Sequence, residues 1–361
     1  MIYKNIRMPE KNDTKDLTKI GEFGLIKLLT EKITLKNKTS VVGVGDDAAV
    51  LDYSDKQVVI TTDMLTEGVH FDLMYTPLMH LGYKSVIVNL SDVYAMNATP
   101  KQILVSIAVS SKFTTDMIEE IYDGIHRACE QYNVDLVGGD TTSSLTGLTI
   151  SVTAVGEAEK NKVAYRSGAK KDDLICVTGD LGASFIGLQL LEREKEIFTK
   201  GGGAQPDFSG HEYVLERQLK PEARHDIIEL LAEKELQPTS MIDISDGLSS
   251  EILHICNASD CGCNIYVEKI PVAAETRDSI ESLDLEPTTI ALNGGEDYEL
   301  LFTLPISDYE KVKDLEEIKI IGHIKPKDEG KHLVLPDGSL VDLNAMGWNS
   351  LREDELDDEE V

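Results

Sequence analysis

Positive charge is scarce in this sequence. Its 361 residues hold 35 Lys and Arg against 65 Asp and Glu, a formal net charge of −30 at pH 7. Nucleic acids and anionic membranes are bound through basic patches, so neither is expected as a partner. The closing stretch EDELDDEE (353–360) carries seven of the acids and is expected to be a solvated, disordered tail. About −23 remains without it, and part of that surplus sits in motifs rather than on helix faces.

Long apolar runs are missing too. None approaches the ~20 residues needed to cross a bilayer. The opening MIYKNIRMPEKNDTKDL has no apolar leader core, which sets the cytoplasm as the expected location. Cysteines are few and odd in number: Cys129, Cys176, Cys256, Cys261 and Cys263. The pair in CGC (261–263) is too close for C-x-x-C chemistry, and no second pair or histidine spacing completes a zinc site. Reduced thiols without a function are expected. Phosphate-binding and nucleophile templates are also lacking. There is no G-x-x-x-x-G-K-[ST] and no G-x-S-x-G, and DFSG at 207–210 has no kinase context.

What is present suits a globular protein of two ordinary domains, 41% hydrophobic and 28% charged. Apolar periodicity predicts helices over 22–33, 114–133 (capped by Thr114 or Thr115), 183–195, 221–234 and 249–259. Strands are expected at 56–63, 102–110, 134–139, 148–157, 174–179 and 240–245, and in CNIYVE, YELLFTL and IKIIGHI. LMHLGYKSVIVNLSDVYAM (78–96) reads both ways. Val86-Ile87-Val88 suggests a strand, whereas its length and apolar spacing suit a helix. The turn-rich RSGAKKDD (166–173) is the candidate boundary between domains, and TKGGGAQPDFSG (199–210) is a loose loop.

VVGVGDDAAV (41–50) imitates a dinucleotide-binding turn, with Asp63 twenty residues after Gly43. Two observations exclude that function. Only twelve residues (46–57) lie between Gly45 and the strand near Val58, too few for a crossover helix. Asp46 and Asp47 would also repel a pyrophosphate. The glycines are instead expected to open a tight turn that presents carboxylates to a metal.

Five further places repeat the design of an apolar run, then Gly, Ser or Thr, then an acid. They are VVITTD (Asp63), VNLSD (Asp92), LVGGDTTSS (Asp140), MIDISDG (Asp243, Asp246) and LNGGEDYE (Glu296, Asp297). Each alone could be a helix cap or an Asx turn. Together they suggest clustered carboxylates, which need compensating charge. Hard divalent cations such as Mg²⁺, shared with substrate phosphates, would supply it, and Thr61, Thr62, Thr141 and Ser245 could add neutral oxygens.

In order, GEFGLI, GVGDDAAVL, TTDMLTEGVHF, VNLSDVYAMNATP, GGDTT, RSGAK, DISDGL, ASDCG, LNGGEDYELLFT and IIGHI span roughly Gly21 to Trp348. This run resembles the thiamine-monophosphate kinase family, a branch of the superfamily of aminoimidazole-ribonucleotide synthetase and selenophosphate synthetase. The resemblance implies an α/β (α+β) fold with an N-terminal ATP- and Mg-binding domain (1–160), a C-terminal α/β domain (161–350) and the tail (351–361). The N-terminal sheet would form a barrel across a homodimer, and the ambiguous segment holding Asp92 would be a helix. The implied reaction is ATP-dependent phosphorylation of thiamine monophosphate to thiamine diphosphate, the last step of thiamine diphosphate biosynthesis.

Carried over by motif, Asp47, Thr61, Thr62, Asp63, Asp92, Asp140, Asp243 and Asp246 would bind several Mg²⁺ ions. Gly139, Asp140, Arg166 and Ser245 would line the ATP site. His70, Glu296 and Trp348 would contact thiamine monophosphate, with Trp348 stacking on its rings. For His70 and Trp348 a purely structural role is the alternative. No aspartate is expected to act as general base. The alternatives for the whole chain are another ATP-dependent synthetase of the superfamily or a non-catalytic nucleotide- and metal-binding homologue.

Overall fold

The computed structural model describes residues 40–42, 45–53, 55–201 and 205–345. The first half builds one mixed sheet. Its strands are β1 (Ser40–Val42), β2 (Ala49–Tyr53), β3 (Lys56–Thr66), β4 (Thr99–Ser110), β5 (Asp135–Ser144) and β6 (Thr149–Glu159), in the spatial order β1-β2-β3-β6-β4-β5. Every pairing is antiparallel except β4 with β5. Alternation is clear on β6, whose even-numbered residues are buried and whose odd-numbered ones are not. One face is therefore dry. Helices α1 (Leu78–Ala95) and α2 (Thr115–Tyr132) supply the residues that pack against it.

The ambiguous segment is α1, a helix. Fourteen of its 18 residues are buried, polar ones included, so it has no broad solvent-facing stripe to reveal its period. That is why the residues alone left strand and helix open. α2 shows the opposite pattern, a buried stripe through Ile121, Ile125 and Ala128, and Thr114 caps it by accepting from the Met117 N–H.

The second half carries a seven-stranded sheet of β7 (Leu174–Thr178), β8 (Ser240–Asp243), β9 (Gly262–Tyr266), β10 (Leu300–Leu304), β11 (Ile318–Lys325), β12 (Lys331–Val334) and β13 (Leu340–Asp342), ordered β13-β12-β9-β11-β7-β10-β8. β7, β8 and β10 are buried throughout, as expected of strands covered on both faces. The longer helices here are α3 (Ala183–Lys200), α4 (Glu212–Leu219), α5 (His225–Glu233), α6 (Leu248–Ser259), α7 (Ala274–Ser282) and α8 (Pro287–Asn293). The architecture is thus mixed α/β with two sheets.

Several boundaries differ from expectation. α3 runs on to Lys200, into the stretch read as loop, and α5 begins at His225 rather than 221. β5 continues through Asp140 to Ser144, although GGDTTSS is a poor strand sequence, because parallel pairing with β4 carries it along the sheet edge. Sequence patterning did not bring out α4, α7 or α8. The expected helix at 22–33, the tail at 351–361 and Trp348 lie outside the described residues. All five cysteines are free and buried. Among the described residues no helix is long and apolar enough to cross a membrane.

Candidate active site

Three aspartates from three different elements converge. Asp47 comes from the turn before β2, Asp92 from the last turn of α1, and Asp243 is the final residue of β8. One carboxylate oxygen from each lies within 4.8 Å of the others. The turn starts at Gly45, whose φ of +128° is open to glycine and strained for other residues. A strand follows rather than a helix, so this GxG does not open a dinucleotide fold.

Each carboxylate is held. Thr61 Oγ1, on the dry face of β3, donates to Asp92 Oδ2 at 2.5 Å. Ser91 Oγ donates to Asp243 Oδ2 at 2.6 Å. Arg166 forks onto Asp47, Nε to Oδ2 at 3.0 Å and Nη2 to Oδ1 at 2.7 Å, while its backbone N–H donates to Asp46 Oδ1 at 3.1 Å. The two adjacent acids therefore divide the labour: Asp46 anchors the main chain of Arg166 and Asp47 takes its guanidinium. Asp63 sits two residues beyond Thr61 on the same face of β3, and its backbone N–H donates to Asn89 Oδ1 on α1 at 3.0 Å.

Burial sets the electrostatics. It raises the Asp63 carboxyl to about 6, and it raises Asp243 to about 8 with help from the neighbouring charge of Asp47. Asp92 is pushed well above the ordinary carboxyl range by burial first and then by Asp63, Asp243 and Asp47. Asp46 rises to about 6 through burial and the adjoining Asp47. One guanidinium against this many acids leaves a deficit of positive charge, and the donor set is all oxygen. A hard divalent cation fits both facts.

The other expected residues are distributed around this centre. Register places Asp140 beside Ser106, which pairs with Ser151 and through it with Met64. Met64 is 57% exposed on the face turned away from α1. Thr62 shares that face, bonded to Val152 O and Thr153 Oγ1. Thr62 and Asp140 are therefore not gathered with the three carboxylates within one chain. At Gly139 a Cβ would sit 1.8 Å from Val105 O, so only glycine lets β5 lie against β4 there. Asp246 follows β8 in a loop where its N–H donates to the buried Glu251 Oε1 at 2.9 Å.

Ser245 accepts the Glu296 N–H on its carbonyl at 2.7 Å, tying the DIS loop to the GGED loop. Gly295 permits this approach, since a Cβ would meet Ser245 O at 2.4 Å. Glu296 itself stands in the left-handed region (φ 63°). Its Oε2 accepts from Lys84 Nζ and from Gln218 Nε2, each at 3.0 Å. Exposed His70 accepts the Thr66 N–H on Nδ1 at 3.1 Å, which places the proton of the neutral ring on Nε2. His70 lines a pocket with Leu65, Phe71, Tyr75, Lys84 and Gln218.

Ser91, Asn89, Lys84 and Gln218 were not singled out from sequence. Lys84 left a signal, being the first charged residue in the apolar run that starts at Leu78. Ser91 left a weaker one as the neighbour of Asp92. Gln218 left none.

Known proteins match this architecture along nearly its whole length. The family described as AIR synthase related protein matches through its N-terminal domain over residues 45–158 and through its C-terminal domain over residues 170–334. The thiamine-monophosphate kinase of Bacillus subtilis is 34% identical over 341 residues, covering 92% of this chain and 100% of that protein. The enzyme of the same name from Aquifex aeolicus is 37% identical over 332 residues, covering 92% and 98%. Among solved structures, AaThiL complexed with AMPPCP and TMP superposes with a TM-score of 0.79 at 35% identity, covering 94% of this chain and 99% of that one.

Proposed function

Since the chain belongs to the thiamine-monophosphate kinase family, we propose that Asp47, Asp92 and Asp243, joined by Asp63, hold Mg²⁺ for its ATP-dependent phosphorylation of thiamine monophosphate. The observation that carries this is the convergence of three carboxylates from β8, α1 and the Gly45 turn within 4.8 Å. When bound, the metal would supply positive charge that screens the phosphates from one another.

The chain's own groups do the rest. The acceptor is a phosphate oxygen, whose second ionisation lies near ~6, so no strong general base is required. The protein must chiefly align two polyanions. Arg166, held near the acids by the Asp46 contact to its backbone, would take a nucleotide phosphate in place of Asp47. Direct in-line transfer to the acceptor follows, without an aspartyl-phosphate. A phospho-enzyme trapped by rapid quench would overturn this mechanism. Gly139, Asp140 and Ser245 would complete the nucleotide site, with Thr61, Thr62, Asp140 and Asp246 serving further ions. His70, Glu296 and Trp348 would receive the substrate.

The sheet face that carries Thr62 and Asp140 also exposes Met64 (57%) and Leu104 (39%). A second copy closing this sheet into a barrel would cover these apolar groups and make the chain a homodimer. It would also bring Asp140 into an enclosed site. We take 1–160 and 161–350 as the two domains and place the protein in the cytoplasm, which its five free thiols suit.

Incubation with ATP, Mg²⁺ and thiamine monophosphate, followed by chromatography, tests the assignment. Thiamine diphosphate should form, and should be lost with EDTA or with free thiamine as acceptor. ADP without thiamine diphosphate would instead point to another acceptor.

A further inference from the structure

Lys84 lies in the middle of α1, 5% exposed, between the pocket that His70 lines and the side chain of Glu296. A buried ammonium is costly unless paired, and this one has two partners: Glu296 Oε2 at 3.0 Å and the main-chain carbonyl of Gln218 at 3.0 Å. Gln218 in turn sends its side-chain amide N–H to the same Glu296 oxygen at 3.0 Å and accepts from buried Ser184 Oγ at 2.5 Å on its side-chain Oε1. Both donors converge on Oε2. Among the described residues none donates to Oε1, which belongs to a carboxylate 29% exposed. The backbone beneath is pinned in the left-handed region by Ser245.

From this geometry we infer that Lys84 and Gln218 are positioning residues for Glu296, fixing its rotamer so that Oε1 faces the donor groups and positive charge of the acceptor substrate. This rests on Glu296 being a substrate contact. Lys84 also stands on the helix that supplies Asp92, eight residues and roughly 12 Å along its axis. A single rigid element therefore sets the spacing between the metal-binding carboxylates and the substrate carboxylate. The sequence GYKSVIVNLSD is the ruler.

The test is a double-mutant cycle read in steady-state kinetics. K84M and Q218L should each raise KM for thiamine monophosphate about tenfold, the scale of a lost hydrogen bond to a charged group, while KM for ATP and kcat change less than threefold. E296Q should raise the same KM. Combined with E296Q, K84M should add little, because its effect passes through Glu296. Q218L changes no charge, so it remains informative if K84M fails to fold. Independent effects of Q218L and E296Q that multiply in the double variant would overturn the positioning role. An unchanged KM in E296Q would overturn instead the reading of Glu296 as a substrate contact.

Discussion

Ser91 Oγ donates to Asp243 Oδ2 at 2.6 Å, joining positions 152 residues apart. The bond ties α1, in the first half, to the end of β8, in the second. Its donor is the immediate neighbour of Asp92, so it also sets the distance between two of the three clustered carboxylates. S91A removes the orienting donor and none of the proposed ligands. Loss of such a supporting bond lowers metal affinity by about 10- to 100-fold. Titration calorimetry with Mg²⁺ should show that loss with the fold intact by circular dichroism. An unchanged affinity would mean the bond serves packing alone.

The carboxylates themselves should behave in opposite ways in stability and in activity. Asp92 is crowded by Asp63, Asp243 and Asp47. D92N relieves that repulsion, so the metal-free variant should melt higher than the parent at pH 8. Transfer should nevertheless fall at least about a hundredfold, as befits the loss of a proposed metal-binding charge. D47A should likewise abolish transfer. Substantial activity in either variant would count heavily against the cluster as the catalytic centre.

A pH dependence follows from the same crowding. Asp63 is raised to about 6 and Asp243 to about 8, both from 3.8. Raised acids keep protons in the folded state that the unfolded chain has released. Their contribution to stability is thus complete below about pH 4 and is lost as pH climbs through 6 and then 8. In EDTA the melting temperature should fall across that window. Excess Mg²⁺, which takes the place of the protons, should flatten or reverse the slope. The same slope with and without metal would disconnect these groups from the ion.

What the sequence disclosed here was chemistry rather than distance. The repeated pattern of apolar run, small residue and acid picked out Asp47, Asp92 and Asp243, and the fold brings those three together. The same pattern picked out Asp140 with equal force, but register turns it to the opposite face from Asp63. Alternation along a strand is visible in sequence, whereas which of two faces meets the second half of the chain is decided by packing. α1 was illegible for a related reason. A helix buried on all sides loses the periodicity by which helices are recognised. Gln218 was invisible because its role depends on α4 lying beside α1, a tertiary fact with no local trace.

Arg166 makes a two-pronged contact that lysine cannot copy. Its Nε and Nη2 meet the two oxygens of Asp47 at 3.0 and 2.7 Å. R166K keeps the charge and loses the fork. KM for ATP should rise about tenfold or more, with KM for thiamine monophosphate less affected. Equal increases in both constants would indicate a general disturbance of the carboxylate group rather than a nucleotide contact.

Association of two copies is the last expectation, and it has a clean physical handle. Leu104 and Met64 are 39% and 57% exposed on the sheet face opposite the one against which α1 and α2 pack. Apolar groups on such a face are commonly covered by a partner. L104D places a charge there, where burial against a second copy would be costly and exposure to water is not. Sedimentation should show the parent as a dimer and L104D as a monomer of unchanged secondary structure. If Asp140 acts only within the closed barrel, the monomeric variant should also lose transfer while still binding Mg²⁺ at Asp47, Asp92 and Asp243. A monomeric parent, or a monomeric variant with full activity, would remove the second copy from the site.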